Sequence, residues 1–237
     1  MPERIGHYVL LEQLERGPVE VFRARDTRQG RTVTLELLAP AIVPPADRDR
    51  FHRAVEPAAA LSHPGIAMLF DSGEWEGRPF LVFEYAPGQS LRALLSDGPL
   101  PVRRALELLA RLADAMAYAH AAGVAHGAFG AETVVVMASG RPKILDFGVA
   151  AWTRRRAPAG ADARAATNDA PGGLRDDLAA LGALLEETLG GSAGARRSDP
   201  TGELGAIVER ARAGGESGYA EAAVLAQIGR ASCRERV

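Results

Sequence analysis

The chain has 237 residues, of which 47% are hydrophobic and 24% are charged, and its formal net charge is −2. This balance is typical of a globular protein with a large core, and it excludes the basic surface of a nucleic-acid-binding protein. No apolar stretch reaches the roughly 18 residues that a membrane span needs. We therefore expect a soluble segment that contacts neither nucleic acid nor membrane.

Two rare residues limit the possible chemistry. Lys143 is the only lysine among 28 basic residues, so any reaction that needs an amine must use it. The only cysteine, Cys233, lies within residues 228–237, which resemble the translation of a sequencing-adapter read-through. We expect that segment to be an artefact and the natural chain to continue differently after residue 227, although a genuine basic C terminus is the alternative.

The first part of the chain has the pattern of an antiparallel sheet with one helix. Residues 8–14, 15–26 and 31–38 predict three strands, with a turn at Gln29 and Gly30. Apolar residues at a helical period predict a helix over residues 47–61, which we expect Pro57 to kink or split. Two further strands are predicted at residues 66–70 and 79–85, joined by a polar hairpin at 71–78.

The second part is mainly helical. Apolar residues recur at helical spacing over residues 101–122 and predict a long buried helix. Residues 151–173 are rich in alanine, arginine and glycine and predict a mobile loop. Further helices are predicted over residues 203–212 and from about Tyr219.

Two motifs resemble the protein kinase family. His126-Gly127-Ala128, with Thr133 five residues further on, is similar to the catalytic loop, and Asp146-Phe147-Gly148 is similar to the metal-binding turn. The resemblance is to bacterial Ser/Thr kinases and covers residues 8–227. It implies an α+β fold of two lobes: an antiparallel sheet with one helix at residues 8–86, and a mainly helical lobe at 87–227. An activation segment is implied at about 149–173.

The resemblance also places unusual residues at the catalytic positions. Glu36 stands where the family has the lysine that grips the phosphates, and Ala54 stands where the family has that lysine's glutamate partner. Ala128 replaces the aspartate that accepts the substrate proton, and Thr133 replaces an asparagine that binds magnesium. No catalytic residue is therefore expected. An alternative interpretation of Glu36 alone is that it is a solvated strand residue.

A nucleotide pocket is implied in a reduced form. The resemblance places seven residues around it: Gly17, Val21, Thr34, Phe83, Glu84, Ala86 and Val135. Phe83 would be the gatekeeper, and the backbone of Glu84 and Ala86 would bind adenine. Asp146 is the remaining metal ligand, and one carboxylate is a weak magnesium site. We expect ATP and magnesium to bind weakly or not at all.

Two other residues are expected to hold the site together. The resemblance implies that His126 packs against Phe147 and that Asp177 anchors the backbone of the catalytic loop. The sequence thus predicts a pseudokinase, a regulatory or binding module for a protein partner in bacterial Ser/Thr kinase signalling. It would lie in the cytoplasm, or form the cytoplasmic part of a membrane-anchored protein.

Two alternatives remain open. One is an active ATP-dependent Ser/Thr protein kinase with atypical catalytic residues. The other is a small-molecule phosphotransferase of the same fold, because His126-Gly127 is similar to the His-Gly-Asp motif of aminoglycoside phosphotransferases.

Overall fold

The computed structural model describes residues 3–153 and 173–190. Its first part is a six-stranded antiparallel sheet in the order β1-β2-β3-β4-β6-β5. The strands are β1 (Arg4–Ile5), β2 (Tyr8–Glu15), β3 (Val19–Asp26), β4 (Arg31–Leu38), β5 (Leu69–Trp75) and β6 (Arg78–Glu84). The predicted meander and its turn before residue 31 are confirmed, and the short β1 was not predicted.

Side chains alternate between the two faces of this sheet, as the strand period requires. One face carries Phe22, Leu35 and Val82 in an apolar cluster with Ile5 and Tyr8. The opposite face packs against helix α1 (Arg48–Ala59), and the apolar cluster there includes Val21, Phe51, Leu81 and Phe83. Both faces of the sheet are therefore buried, and the second one holds the candidate site.

The structure corrects the expected break in α1. The helix continues through Pro57 to Ala59 as one α-helix. Because Pro57 lies in the last turn, its missing N–H removes only one bond and no later turn has to follow the displaced backbone. The helix is therefore two residues shorter than predicted at its end, and it is not split.

The structure also corrects the predicted hairpin at residues 71–78. Strand β5 starts at Leu69, runs through these polar residues to Trp75, and is followed by a two-residue turn. Both turn residues, Glu76 and Gly77, have positive φ, as a tight antiparallel hairpin requires. Polar residues at 71–74 resemble a loop in the sequence, but β5 is an edge strand, where polar side chains are common.

The second lobe is built from helices and a small sheet. Its described helices are α2 (Leu91–Ser96), α3 (Val102–Ala121) and α5 (Gly173–Thr188), and its strands are β7 (Gly88–Ser90), β8 (Val134–Met137) and β9 (Pro142–Ile144). The short helix α4 (Ala150–Thr153) follows β9 in the chain. The predicted helix at 101–122 is confirmed as α3, which is the centre of this lobe's core. None of the helices described is long and apolar enough to cross a membrane.

The start of the predicted mobile segment is ordered, which is a third correction. Val149 and Trp152 are buried, and the Trp152 ring lies 5.6 Å from that of Phe51 in an edge-to-face arrangement. A buried tryptophan stabilises its segment strongly, so α4 belongs to the core of the first lobe. Residues 154–172, the helices predicted after residue 200 and the segment 228–237 lie outside the described residues.

Candidate functional site

The candidate site lies on the sheet face that packs against α1. Residues directly opposite each other in an antiparallel pair share a face. Val21 is opposite Glu36, Glu36 is opposite Leu81, and Thr34 is opposite Phe83. The structure therefore places Val21, Thr34 and Phe83, three of the residues predicted to line a nucleotide pocket, on one face. Glu36 lies on the same face.

Glu36 is only 1% exposed, which corrects the alternative that it is a solvated strand residue. It is buried because α1 and the segment that holds Val149 and Trp152 pack on this face of the sheet. A carboxylate in such a place is costly to ionise without compensating contacts, and when ionised it repels phosphate. The position that a phosphate-binding lysine would take is thus occupied by a buried acid.

Ala54 does not restore a charge at this position. It lies on α1, nearly fully buried in the apolar cluster that includes Phe51, Val149 and Trp152. A methyl group can fill this space but cannot orient a cation. The place of the family's ion pair therefore holds one buried carboxylate and one methyl group.

The only lysine is engaged elsewhere. The Lys143 Nζ donates to the Glu84 Oε2 at 2.5 Å and to the Ile66 carbonyl at 3.1 Å. The Glu84 N–H donates to the Met68 carbonyl at 2.8 Å, so both its side chain and its amide point to the same side of the segment 85–87. We call 85–87 the hinge and this side its rear. Lys143 is a rear-side residue and does not supply charge to the phosphate position.

The front of the hinge keeps one feature that adenine binding needs. Ala86 lies between β6 and β7, and its backbone N–H and carbonyl make no hydrogen bond within residues 3–153 and 173–190. Val135, another of the predicted pocket residues, is half-buried on β8. The N–H and carbonyl groups of Ala86 are therefore available to a flat heterocycle with donor and acceptor edges.

Two glycines near the site have different reasons to be there. A Cβ at Gly88 would lie 2.4 Å from the Val136 carbonyl oxygen, so only glycine permits this close approach of β7 to β8. At Gly17 a Cβ would meet only the Val19 carbonyl oxygen, at 3.9 Å. Gly17 therefore belongs to an ordinary hairpin, and sequence reasoning missed the more demanding Gly88.

His126 has the structural role expected of it. Its ring makes edge-to-face contacts with Phe147 at 5.1 Å and Phe129 at 5.6 Å. Its Nδ1 accepts the Ala128 N–H at 3.2 Å, and its Nε2 lies 2.9 Å from the Leu145 carbonyl. With both nitrogens occupied inside the core, His126 holds the loop against the turn at Phe147.

Asp177 anchors the same loop, as predicted. Its carboxylate accepts the His126 N–H at 2.7 Å and the Gly127 N–H at 2.9 Å, and it lies 2.9 Å from the His120 Nε2. These donors compensate the burial of the charge on α5. The scaffold of a catalytic loop is therefore complete.

Ala128 and Thr133 occupy the two catalytic positions that the resemblance places on this loop. Ala128 is half-buried and offers only a methyl group. The Thr133 hydroxyl donates to the Gly130 carbonyl at 3.0 Å, and the Gly130 N–H donates back to it at 3.2 Å. The hydroxyl thus closes its own turn, and Thr133 has a local structural role.

Asp146 keeps the backbone form of a functional turn. Its φ of 58° is uncommon for a residue with a side chain, and its carbonyl accepts the Val149 N–H at 3.0 Å. Among the described residues, no three His, Cys, Asp or Glu side chains are grouped to hold a metal. The described cleft thus presents the free backbone groups of Ala86 at one end and the buried carboxyl of Glu36 at the other.

Comparisons with known proteins identify the family of the chain. The protein kinase domain family matches residues 8–169. The probable serine/threonine-protein kinase SCO3848 of Streptomyces coelicolor is 34% identical over 207 residues, which cover 79% of this chain and 31% of that protein. The DNA damage-responsive serine/threonine-protein kinase RqkA of Deinococcus radiodurans is 36% identical over 202 residues, which cover 79% and 30%. The chain thus spans less than a third of the length of these relatives.

Solved structures show the fold. The kinase domain of Mycobacterium tuberculosis PknI, in a mutant form, superposes with a TM-score of 0.76 at 24% identity, covering 95% of each chain. The predicted α+β architecture, with an antiparallel sheet and one helix in the first lobe, is confirmed.

Proposed function

Because the chain belongs to the bacterial serine/threonine protein kinase family, we propose that it is a pseudokinase acting in the cytoplasm as a regulatory or binding module. Such a protein keeps the fold and lacks phosphoryl transfer. The observation that carries the proposal is Glu36, a buried acid on the cleft face where transfer needs a cation. It is supported by the methyl groups at Ala54 and Ala128.

The reasoning follows from what phosphoryl transfer requires. The reaction involves little covalent chemistry by the protein, so its rate depends on positioning and on neutralising phosphate charge. Here the cation, its partner, the proton acceptor and the second metal ligand are all replaced. Such roles act as a unit, so losing several together removes most of the rate enhancement.

The intact scaffold supports a binding role. The contacts of His126 with Phe147 and of Asp177 with the loop amides do not themselves take part in chemistry, and both are present. A chain that keeps this internal support while replacing the reacting groups is suited to hold a surface for a protein partner.

An active kinase is the second candidate, and Asp146 is the observation that favours it. This residue keeps the left-handed conformation of a functional turn. Activity would require a relocated cation, and Arg23 lies opposite Thr34 on the same sheet face. However, its guanidinium already pairs with Glu12 at 3.0 Å.

The test is phosphoryl transfer from radiolabelled ATP with magnesium, both to the protein itself and to a generic basic protein. A pseudokinase gives no more incorporation than its Asp146→Ala variant. Incorporation that depends on Asp146 supports the active kinase instead.

A further inference from the structure

Two adjoining cavities lie at the rear of the hinge, away from the candidate nucleotide site. One has a volume of about 330 Å³ and the other about 420 Å³, and both are lined by His63, Pro64 and Arg141. Glu84 and Lys143 line the second. We call the two together the rear cavity. Neither Glu36 nor Asp146 lines it.

The first half of the rear cavity is rich in hydrogen-bond donors. Arg111, on α3, and Arg141, just before β9, are both exposed on its wall. Neither guanidinium has an ion pair or hydrogen bond with any residue in the part of the chain that the structure describes. An arginine without a carboxylate partner keeps its whole fork of N–H groups for a ligand.

His63 adds a donor of fixed orientation. Its ring stacks on Tyr118 at 5.2 Å, and its Nδ1 accepts the Gly65 N–H at 3.0 Å. In the neutral ring the proton must then be on Nε2. The ring is therefore held in one place with an N–H as its remaining polar group.

The first half of the rear cavity has fewer carboxylates than arginines, and the carboxylate of the second half has an ion-pair partner. Asp114 is the carboxylate of the first half, and Glu84 in the second half is bound to Lys143. The remaining lining of the second half includes Met68 and Met137. The surface thus combines a positive half with a half that is partly apolar and adaptable.

We propose that the rear cavity binds a phosphorylated peptide segment of a partner protein. The phosphate would lie between Arg111 and Arg141, because paired guanidinium groups match a phosphate dianion in charge and geometry. A neighbouring apolar side chain would pack against Met68 and Met137, which a free phosphate would leave uncovered. This inference rests on the proposed function and gives the partner's chemistry.

The experiment measures binding of fluorescent peptide libraries by polarisation. One library has a fixed phosphothreonine, a second has threonine and a third has glutamate at that position, with the same random flanking residues. The phosphorylated library binds, and the other two bind at least about tenfold more weakly, because charge-assisted bonds to a dianion are lost. Arg111→Gln and Arg141→Gln each weaken binding by about tenfold.

The matched controls separate this site from general charge effects. Arg104→Gln removes the same charge from the same helix outside the cavity and leaves binding unchanged. Asp114→Asn removes the carboxylate that opposes the phosphate and strengthens binding. In NMR spectra, the peptide shifts the ring signals of His63 and leaves those of the exposed His52 unchanged.

Several results would overturn the proposal. They are equal binding of the phosphorylated and threonine libraries, no binding at millimolar concentration, and unchanged binding by both arginine variants. Competition by inorganic phosphate as strong as by peptide would also do so, since only an anion site would remain. Asp146→Ala must not change peptide binding. Phosphoryl transfer by a protein that still binds peptide would refute only the pseudokinase assignment.

Discussion

The side-chain nitrogen of Lys143 lies 2.5 Å from a carboxylate oxygen of Glu84, and the two side chains are 8% and 31% exposed. This pair joins β9, which leads to Asp146, to the end of β6 at the hinge. The chain's only amine therefore stabilises the junction between the lobes. The single lysine therefore has a structural role, and the position of the family's phosphate-binding lysine is occupied by Glu36.

Replacing Lys143 with methionine should lower the free energy of unfolding by about 2–3 kcal/mol, because it leaves the Glu84 carboxylate partly buried without its partner. Urea denaturation measures the change. The double variant with Glu84→Gln should lose less than the sum of the two single changes, since no unpaired charge remains. Additive losses would show that the pair is not coupled.

The anchor at Asp177 gives a second prediction. Asp177→Ala leaves the buried amide of His126 and the part-buried amide of Gly127 without their acceptor, so it should destabilise the fold by about 3 kcal/mol. Asp176→Ala, at the exposed neighbouring position, should change stability by less than about 0.5 kcal/mol. Hydrogen exchange at the two amides should become faster only in the first variant. Equal effects of the two substitutions would contradict the anchor.

The parts of the fold and site that the sequence predicted are those encoded by local motifs or by a regular spacing of apolar residues. The Phe147 turn, the His126 loop and Asp177 were found because short motifs in a fixed order specify them. The strands and α3 followed from apolar periodicity. Each of these features is encoded by residues that lie close together in the chain or recur at a regular interval.

The burial of Glu36 could not be predicted in the same way. It depends on Trp152, more than a hundred residues later, which packs beneath α1 and closes that face of the sheet. The residues around Trp152 are rich in alanine, arginine and glycine, which indicates a loop. A single tryptophan in such a segment does not predict that the segment is buried. The rear cavity likewise depends on Arg111 and Arg141, which have no pattern relating them in sequence.

Acid sensitivity provides a third prediction, based on Asp26. Burial raises the pKa of this carboxyl, but the surrounding donors and charges outweigh burial. The carboxylate accepts the backbone N–H groups of Gln29 and Arg28, and the neighbouring His7 and Arg31 lower the pKa further. The pKa of Asp26 therefore lies below its ordinary value. A carboxyl with a lowered pKa binds fewer protons in the folded state. Its stabilising effect is fully present above about pH 4 and is lost as the pH falls through the folded pKa.

Asp26→Asn should therefore be less stable than the wild type at neutral pH, with the difference shrinking below about pH 4. Chemical denaturation over a pH series measures both slopes. Asp49→Asn, which changes an exposed carboxylate on α1, should keep the wild-type slope. A difference between wild type and Asp26→Asn that does not change with pH would contradict the assigned shift.

Nucleotide binding is the subject of the fourth prediction. Because the hinge backbone at Ala86 is available while Glu36 opposes phosphate, adenosine should bind at least as tightly as ATP with magnesium. Both should stabilise the protein only weakly in a thermal-shift titration. Glu36→Gln should improve ATP binding and leave adenosine binding unchanged. A clear shift at micromolar ATP that is lost in Asp146→Ala would show that the phosphate site functions.

The most direct test of the central claim is stoichiometric phosphate incorporation from radiolabelled ATP, measured for the wild type and for two repaired variants. We predict none above the Asp146→Ala background for the wild type, for Glu36→Lys or for Ala128→Asp, because each repair leaves the other roles vacant. Glu36→Lys should gain nucleotide affinity at most. Stoichiometric incorporation by the wild type that disappears in Asp146→Ala would contradict the account and show that the chain is an active kinase.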